Sequence, residues 1–126
     1  MTGLTAFCCM IQLSACCQNI PKASITVTRM HVIKKRIILY AKSYGNLPDN
    51  LMRLPLVNGY DMELDDGWNR KILYTFDKSS GVVVLKSLGM DGLAGGADEN
   101  KDIIRAFHSR GVNGDWNKEN IEWDRE

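Results

Sequence analysis

Between Ile25 and Tyr44 the apolar residues Met30, Ile33, Ile37, Tyr40, Ala41 and Tyr44 recur at the three- and four-residue spacing of one helical face. Lys34, Lys35, Arg36 and Lys42 fall largely away from that stripe, so the pattern predicts an amphipathic helix with a solvated basic face. Gly45-Asn46 is a stop signal, and Lys42 is placed to meet the negative end of the helix dipole. Leu47-Pro48-Asp49-Asn50 then opens a short helical turn over Asn50 to Leu54, closed by Pro55, because a residue before proline is driven out of the α region. Leu56 to Leu64 reads as a loop with an extended piece. Asp65-Asp66-Gly67-Trp68 reads as a turn in which Asp66-Gly67 favours positive φ. Trp68 is expected as a core anchor with its indole N–H bonded to backbone.

Ile72 to Phe76 and Gly81 to Leu85 are β-rich runs separated by Asp77-Lys78-Ser79-Ser80, a hairpin signal. Ile72, Tyr74 and Phe76 share one mostly buried face of the first run. Further on, Ile103-Ile104 and Phe107 either close the sheet or pack on the helix. Helix first, hairpin second and a further apolar run last predict an α+β domain, with one N-terminal amphipathic helix covering a small antiparallel sheet.

The chain has 126 residues, which suits one domain. A formal net charge of +1 gives no field for nucleic acid or an anionic membrane, so nucleic acid is not expected as a partner. All four cysteines (Cys8, Cys9, Cys16, Cys17) lie in the first 17 residues as two adjacent pairs. Zinc and redox motifs need a wider spacing, and the body is left without a disulfide or a nucleophilic thiol.

Residues 1–17 form an apolar, uncharged segment that is too short to span a bilayer as a helix. It resembles the apolar core of a secretory signal, although no Lys or Arg precedes Leu4. Leu13-Ser14-Ala15-Cys16 reads as a lipobox, which would place a lipid anchor on Cys16 and tie the protein to a membrane. The competing reading is a mis-set start or the remnant of a longer apolar helix. Ile20-Pro21 is a break, with residues 18–24 as a linker and 25–126 as the globular domain.

The richest stretch runs from Ser87 to Ile103. It holds four glycines and five carboxylate or carboxamide side chains: Asp91, Asp98, Glu99, Asn100 and Asp102. So many glycines rule out a regular element, and a long ordered loop usually has a reason to exist. Clustered carboxylates repel one another unless a cation stands between them. Calcium takes six to eight oxygen ligands in flexible geometry, whereas magnesium prefers to keep several waters. The loop is not an EF-hand, because Leu93 and Gly95 occupy ligand positions and Asp102 replaces the final glutamate. A plain solvated acidic loop is the competing reading.

Ser87-Leu-Gly-x-Asp91-Gly-x-x-Gly-Gly followed by Asp102-Ile103 resembles the C-terminal loop of the major pseudopilin of bacterial type II secretion systems. Leu47-Pro48, Leu54-Pro55, Asp66-Gly-Trp68-x-Arg70 and Tyr74 fall in the same order as in that family, and the resemblance covers roughly residues 25 to 105. It implies the pseudopilin fold and a structural Ca2+ in the loop. Asp91 and Asp102 would then be the best side-chain ligands, Asp98 a further one and Asn100 a neutral one, with backbone carbonyls near Leu88 and Leu93. The chain departs from the family at its start. No prepilin peptidase site with its downstream glutamate occurs between Met1 and Tyr44, so entry into a pseudopilus by the usual route is not expected.

Three functions follow. The first is a non-catalytic protein of the bacterial cell envelope, calcium-bound, in periplasm or tethered to a membrane, with a structural or interaction role alongside other secretion-system proteins. The second is a lipoprotein that reuses the fold outside secretion. The third is an enzyme using the acidic loop. Against the third, Asp65 and Asp66 are adjacent and point apart, and His108-Ser109 lacks a strained nucleophile turn such as G-x-S-x-G. Within the tail (Gly111 to Glu126), Asn113-Gly114-Asp115 is turn chemistry. Trp116 and Trp123 are expected to dock on the body. His31 is expected at a rim, with no role.

Overall fold

The apolar stripe forms a 23-residue helix, α1 (Lys22–Tyr44), in a computed structural model that describes residues 20–55 and 63–124. The helix starts earlier than expected, so Lys22 to Ser24 are its first turn and not the end of a linker. Pro21 explains the difference: its carbonyl accepts from the N–H of Ser24 (3.0 Å) and Ile25 (3.2 Å), and proline is well shaped for a helix start. The signal-like segment, with its lipobox, lies outside the described residues. Gly45 ends the helix in the left-handed conformation, its N–H bonded to the Ala41 carbonyl at 2.8 Å.

The buried face of α1 is wider than the stripe. Met30, Ile33, Ile37, Ile38 and Ala41 are buried as an apolar face should be. Lys34 and Arg36, assigned to the solvated side, are buried too, each only 1% exposed. Tyr44, assigned to the stripe, is exposed and stacks on Tyr40 at 4.5 Å. The cause is the covering of both flanks of the helix by irregular chain. On one flank Arg36 donates to the carbonyls of Leu54 (3.3 Å) and Pro55 (3.3 Å). On the other, the Lys34 ammonium donates to the Ile121 carbonyl and lies 4.6 Å over the Trp123 ring. Burial lowers the Lys34 pKa, Glu122 opposes the shift, and Lys35 adds to it.

Three strands form an antiparallel meander in the order β1 (Leu73–Phe76), β2 (Val82–Ser87) and β3 (Ile103–His108). Thr75 pairs with Val84 and Val84 with Ala106, while Ser87 pairs with Ile103. Val83, Leu85 and Phe107 face the helix and are fully buried, whereas Leu73 and Ile104 on the opposite face are exposed. The Ile103-to-Phe107 run therefore closes the sheet. Ile72 is buried, and Tyr74 and Phe76 pack against the core, as their alternation requires. A 3-10 turn at Leu51–Arg53 fills the predicted helical turn, capped by the Asn50 side chain on the Met52 N–H at 3.0 Å. Residues 56–62 of the expected loop lie outside the described residues.

Two expectations around the Asp66 turn are corrected. Trp68 is only half-buried and stands outside the core cluster, which includes Leu51, Leu54 and Ile72. Positive φ falls at Asn69 (65°), not at Gly67. Gly67 is required for another reason. A Cβ there would press into the Lys22 carbonyl at the start of α1. Among the described residues, no helix is long and apolar enough to cross a membrane.

Candidate functional site

The acidic loop joins β2 to β3, and a buried carboxylate holds its root. Ser87 continues the inward parity of Val83 and Leu85, so its hydroxyl is buried and needs a partner. That partner is Asp66 Oδ2, at 2.7 Å. Asp66 Oδ1 accepts from the N–H groups of Trp68 (2.9 Å) and Arg70 (3.0 Å), which sets the turn. The turn is tied to α1 as well. The Gly67 N–H donates to Thr26 Oγ1 (2.8 Å), and Arg29 donates to the carbonyls of Asp65 (3.2 Å) and Asp66 (3.1 Å). Arg70 then reaches across to the loop, donating to the carbonyls of Met90 (2.8 Å) and Gly89 (3.3 Å). One short segment thus clamps the helix start and the loop start together.

Inside the loop the acids take different positions. Asp91 is exposed, and its Oδ1 accepts from the Leu93 N–H at 3.0 Å. Asp98 is exposed at positive φ (54°) and opens a 3-10 turn, Asp98–Asn100. Leu88 is half-buried and Leu93 is exposed. Asp102 is more enclosed. Its Oδ2 accepts from the Gly95 N–H (3.1 Å) and lies 3.7 Å from the Lys86 ammonium. Asp102 Oδ1 and Asn100 Oδ1 are buried, and neither has a hydrogen-bond partner.

These two oxygens carry the site's chemistry. A buried acceptor without a partner costs on the order of 1–3 kcal/mol, so two in one loop are a feature that a ligand would relieve. Both are hard oxygen donors, one neutral and one anionic. That suits a calcium ion better than a soft metal. Gly96 lies against the Asn100 backbone, and the Gly95 N–H reaches Asp102, so the glycines wrap this end of the loop. The structure brings Asn100 and Asp102 into it and leaves Asp91 and Asp98 at the surface. Among the described residues, no three His, Cys, Asp or Glu side chains converge as a metal-holding group. A cation here would have to rely on Asn100, Asp102 and backbone carbonyls.

Sequence reasoning missed Asp66 as the buried root of the loop, and Lys86 as its neighbour. The inward parity of Ser87 was the available signal for the first. The second needed the strand register. His108 and Ser109 serve separate ends. Ser109 donates to the Gly81 carbonyl at 2.5 Å, while His108 Nδ1 meets Asp124 at 2.9 Å. Asp102 lies at the far end of β3 from both.

No curated protein and no solved structure shows significant similarity to this chain. A sequence model of the family described as type II secretion system (T2SS), protein G matches residues 17–106, which spans α1, the Asp66 turn, the hairpin, the acidic loop and most of β3. With well over half of its length covered, the chain belongs to the type II secretion system protein G family, that of the major pseudopilin.

Proposed function

We propose that this protein serves protein secretion at the bacterial cell envelope as a non-catalytic structural or interaction component, and that its acidic loop is stabilised by calcium. The family match over residues 17–106, which covers the helix and most of the sheet, supports the first part. The buried, unpartnered oxygens of Asn100 and Asp102 support the second. Calcium would act as a staple. It binds only the folded loop, neutralises the Asp102 carboxylate, and ties the end of the loop to its turn in a body without disulfides. A lipid on Cys16 would hold the domain at a membrane, as the Leu13–Cys16 lipobox suggests.

Thermal unfolding of the full chain with calcium, with magnesium and with chelator tests the staple. Calcium at 100 times its dissociation constant adds about 2.7 kcal/mol, enough to raise the Tm by roughly 5 °C or more. Magnesium should do much less. Asp102→Ala should abolish the calcium-dependent rise. A wild-type Tm that is the same in chelator and in calcium raised to about 100 times a millimolar dissociation constant would refute calcium binding to the wild type.

A further inference from the structure

Lys86 projects from the outer face of β2 and is paired in the sheet with Ile104, two residues beyond Asp102. Its ammonium lies 3.7 Å from Asp102 Oδ2, and both side chains are partly exposed, at 36% and 13%. The other oxygen of the same carboxylate, Oδ1, is the buried and unpartnered one. One carboxylate therefore has a cation on one oxygen and a vacancy in its hydrogen bonding on the other. The surroundings make this pairing consequential. The loop's four acids (Asp91, Asp98, Glu99 and Asp102) are opposed by Lys86, Lys101 and the Arg70 guanidinium held on the Met90 carbonyl. Little net negative charge is left to attract a divalent ion.

We propose that Lys86 is a resident counter-ion that competes with calcium for Asp102. At low calcium the lysine neutralises the carboxylate and keeps the loop closed. At high calcium the metal takes over, against the repulsion of the ammonium. The inference rests on the calcium reading given above and deepens it: the lysine sets the concentration at which the loop responds and makes that response weak. Metal sites with few charged ligands fall in the millimolar range, and an adjacent cation pushes in the same direction. Lys86 can give way because its stem is fixed on a central strand while its head is partly in solvent.

Calorimetric titration of the full chain with calcium chloride tests this. Removing a unit charge beside a divalent ion, at the high effective dielectric of a surface, should tighten calcium binding about three- to tenfold in Lys86→Met. Lys86→Arg, which keeps the charge, should stay near the wild-type affinity. Lys78→Met makes the same change in net charge at the β1–β2 turn, the other end of the sheet, and should change affinity less than twofold. In chelator, Lys86→Met should also melt below the wild type, so the calcium-dependent gap in Tm widens. Equal or weaker binding by Lys86→Met overturns the inference while leaving the calcium site standing. So does an equal effect of Lys78→Met, which would reduce Lys86 to one part of a general field. If the wild type takes no calcium, Lys86→Met decides: binding in that variant alone upholds a lysine standing in for the metal. No binding in either overturns both readings.

Discussion

The acidic loop (residues 88–102) and the C-terminal segment (residues 109–124) look alike in sequence. Each combines glycines with several Asp or Asn residues, and each is irregular chain attached to β3. Their attachment to the body differs. The C-terminal segment carries apolar anchors. Trp123 meets Phe107 at 5.7 Å and Ile121 packs on the core, while Asp124 donates its N–H to the Ala106 carbonyl at 2.7 Å on β3. The loop has no apolar residue in the core between Leu88 and Asp102, and is held through polar bonds to the Asp66 turn. A polar segment with two or three large apolar residues can dock by burial alone, whereas one without them needs charge pairing or a ligand.

Removing an anchor from the docked segment should have the largest effect. Trp123→Ala deletes a large side chain against Phe107 and strips the ring from over the buried Lys34 ammonium. The expected cost is about 3 kcal/mol, at the lower end for an aromatic-to-alanine change because Trp123 is only half-buried. Denaturant unfolding would measure it, and a cost below about 1 kcal/mol would show that the segment is not docked as described. Calcium should raise this variant by the same increment as the wild type and leave the gap between them unchanged, because the lost contacts lie at the opposite end of β3 from the loop.

The matching cut at the loop is Asp66→Ala. It leaves the N–H groups of Trp68 and Arg70 and the Ser87 hydroxyl without their acceptor at a site that is 1% exposed. About 2 kcal/mol of lost stability is expected, less than at Trp123 because water can enter the emptied turn. Arg70 loses its backbone anchor in this variant, so the loop should also become more sensitive to limited proteolysis between Met90 and Lys101. Stability lost with no change in loop cleavage would mean that Asp66 supports only its own turn.

The same contrast explains what the sequence made legible. The existence of helix α1, the β1–β2 hairpin and the alternation of Ile72, Tyr74 and Phe76 follow from local periodicity, and each is present, although α1 begins three residues earlier than its stripe. The burial of Lys34 and Arg36 does not follow from period. Both acquire their partners from chain 18 or more residues away, Leu54 and Pro55 for the arginine and Ile121 and Trp123 for the lysine. A basic residue beside a stripe reads as solvated until the chain that covers it is known. In the loop, residue types pointed to a cation, and the motif order pointed to the family. Which oxygens are left without partners depends on the β2–β3 register and on the turns at Gly95 and Asn100, and these are tertiary facts.

The mildest test of the docked segment uses pH. His31 stands at its edge, 6.5 Å from the Trp123 ring. Burial is the main cause of a lowered pKa at His31, Lys34 and Lys35 on its own helix add to it, and Glu122 on the docked segment opposes it. A lowered folded-state pKa means that the unfolded chain binds the proton more readily. His31 therefore leaves stability intact above its ordinary value of 6.5 and withdraws it as pH falls from there through the folded-state value. Less than about 1 kcal/mol is at stake for a half-exposed ring. The chain has one other histidine, His108, so the comparison is best made in a His108→Gln background. Between pH 7.5 and 5.5 that variant should lose more Tm than the double variant that also carries His31→Gln. Equal losses would place the His31 ring in open solvent, away from Trp123, and would weaken the case that the segment closes over this face of α1.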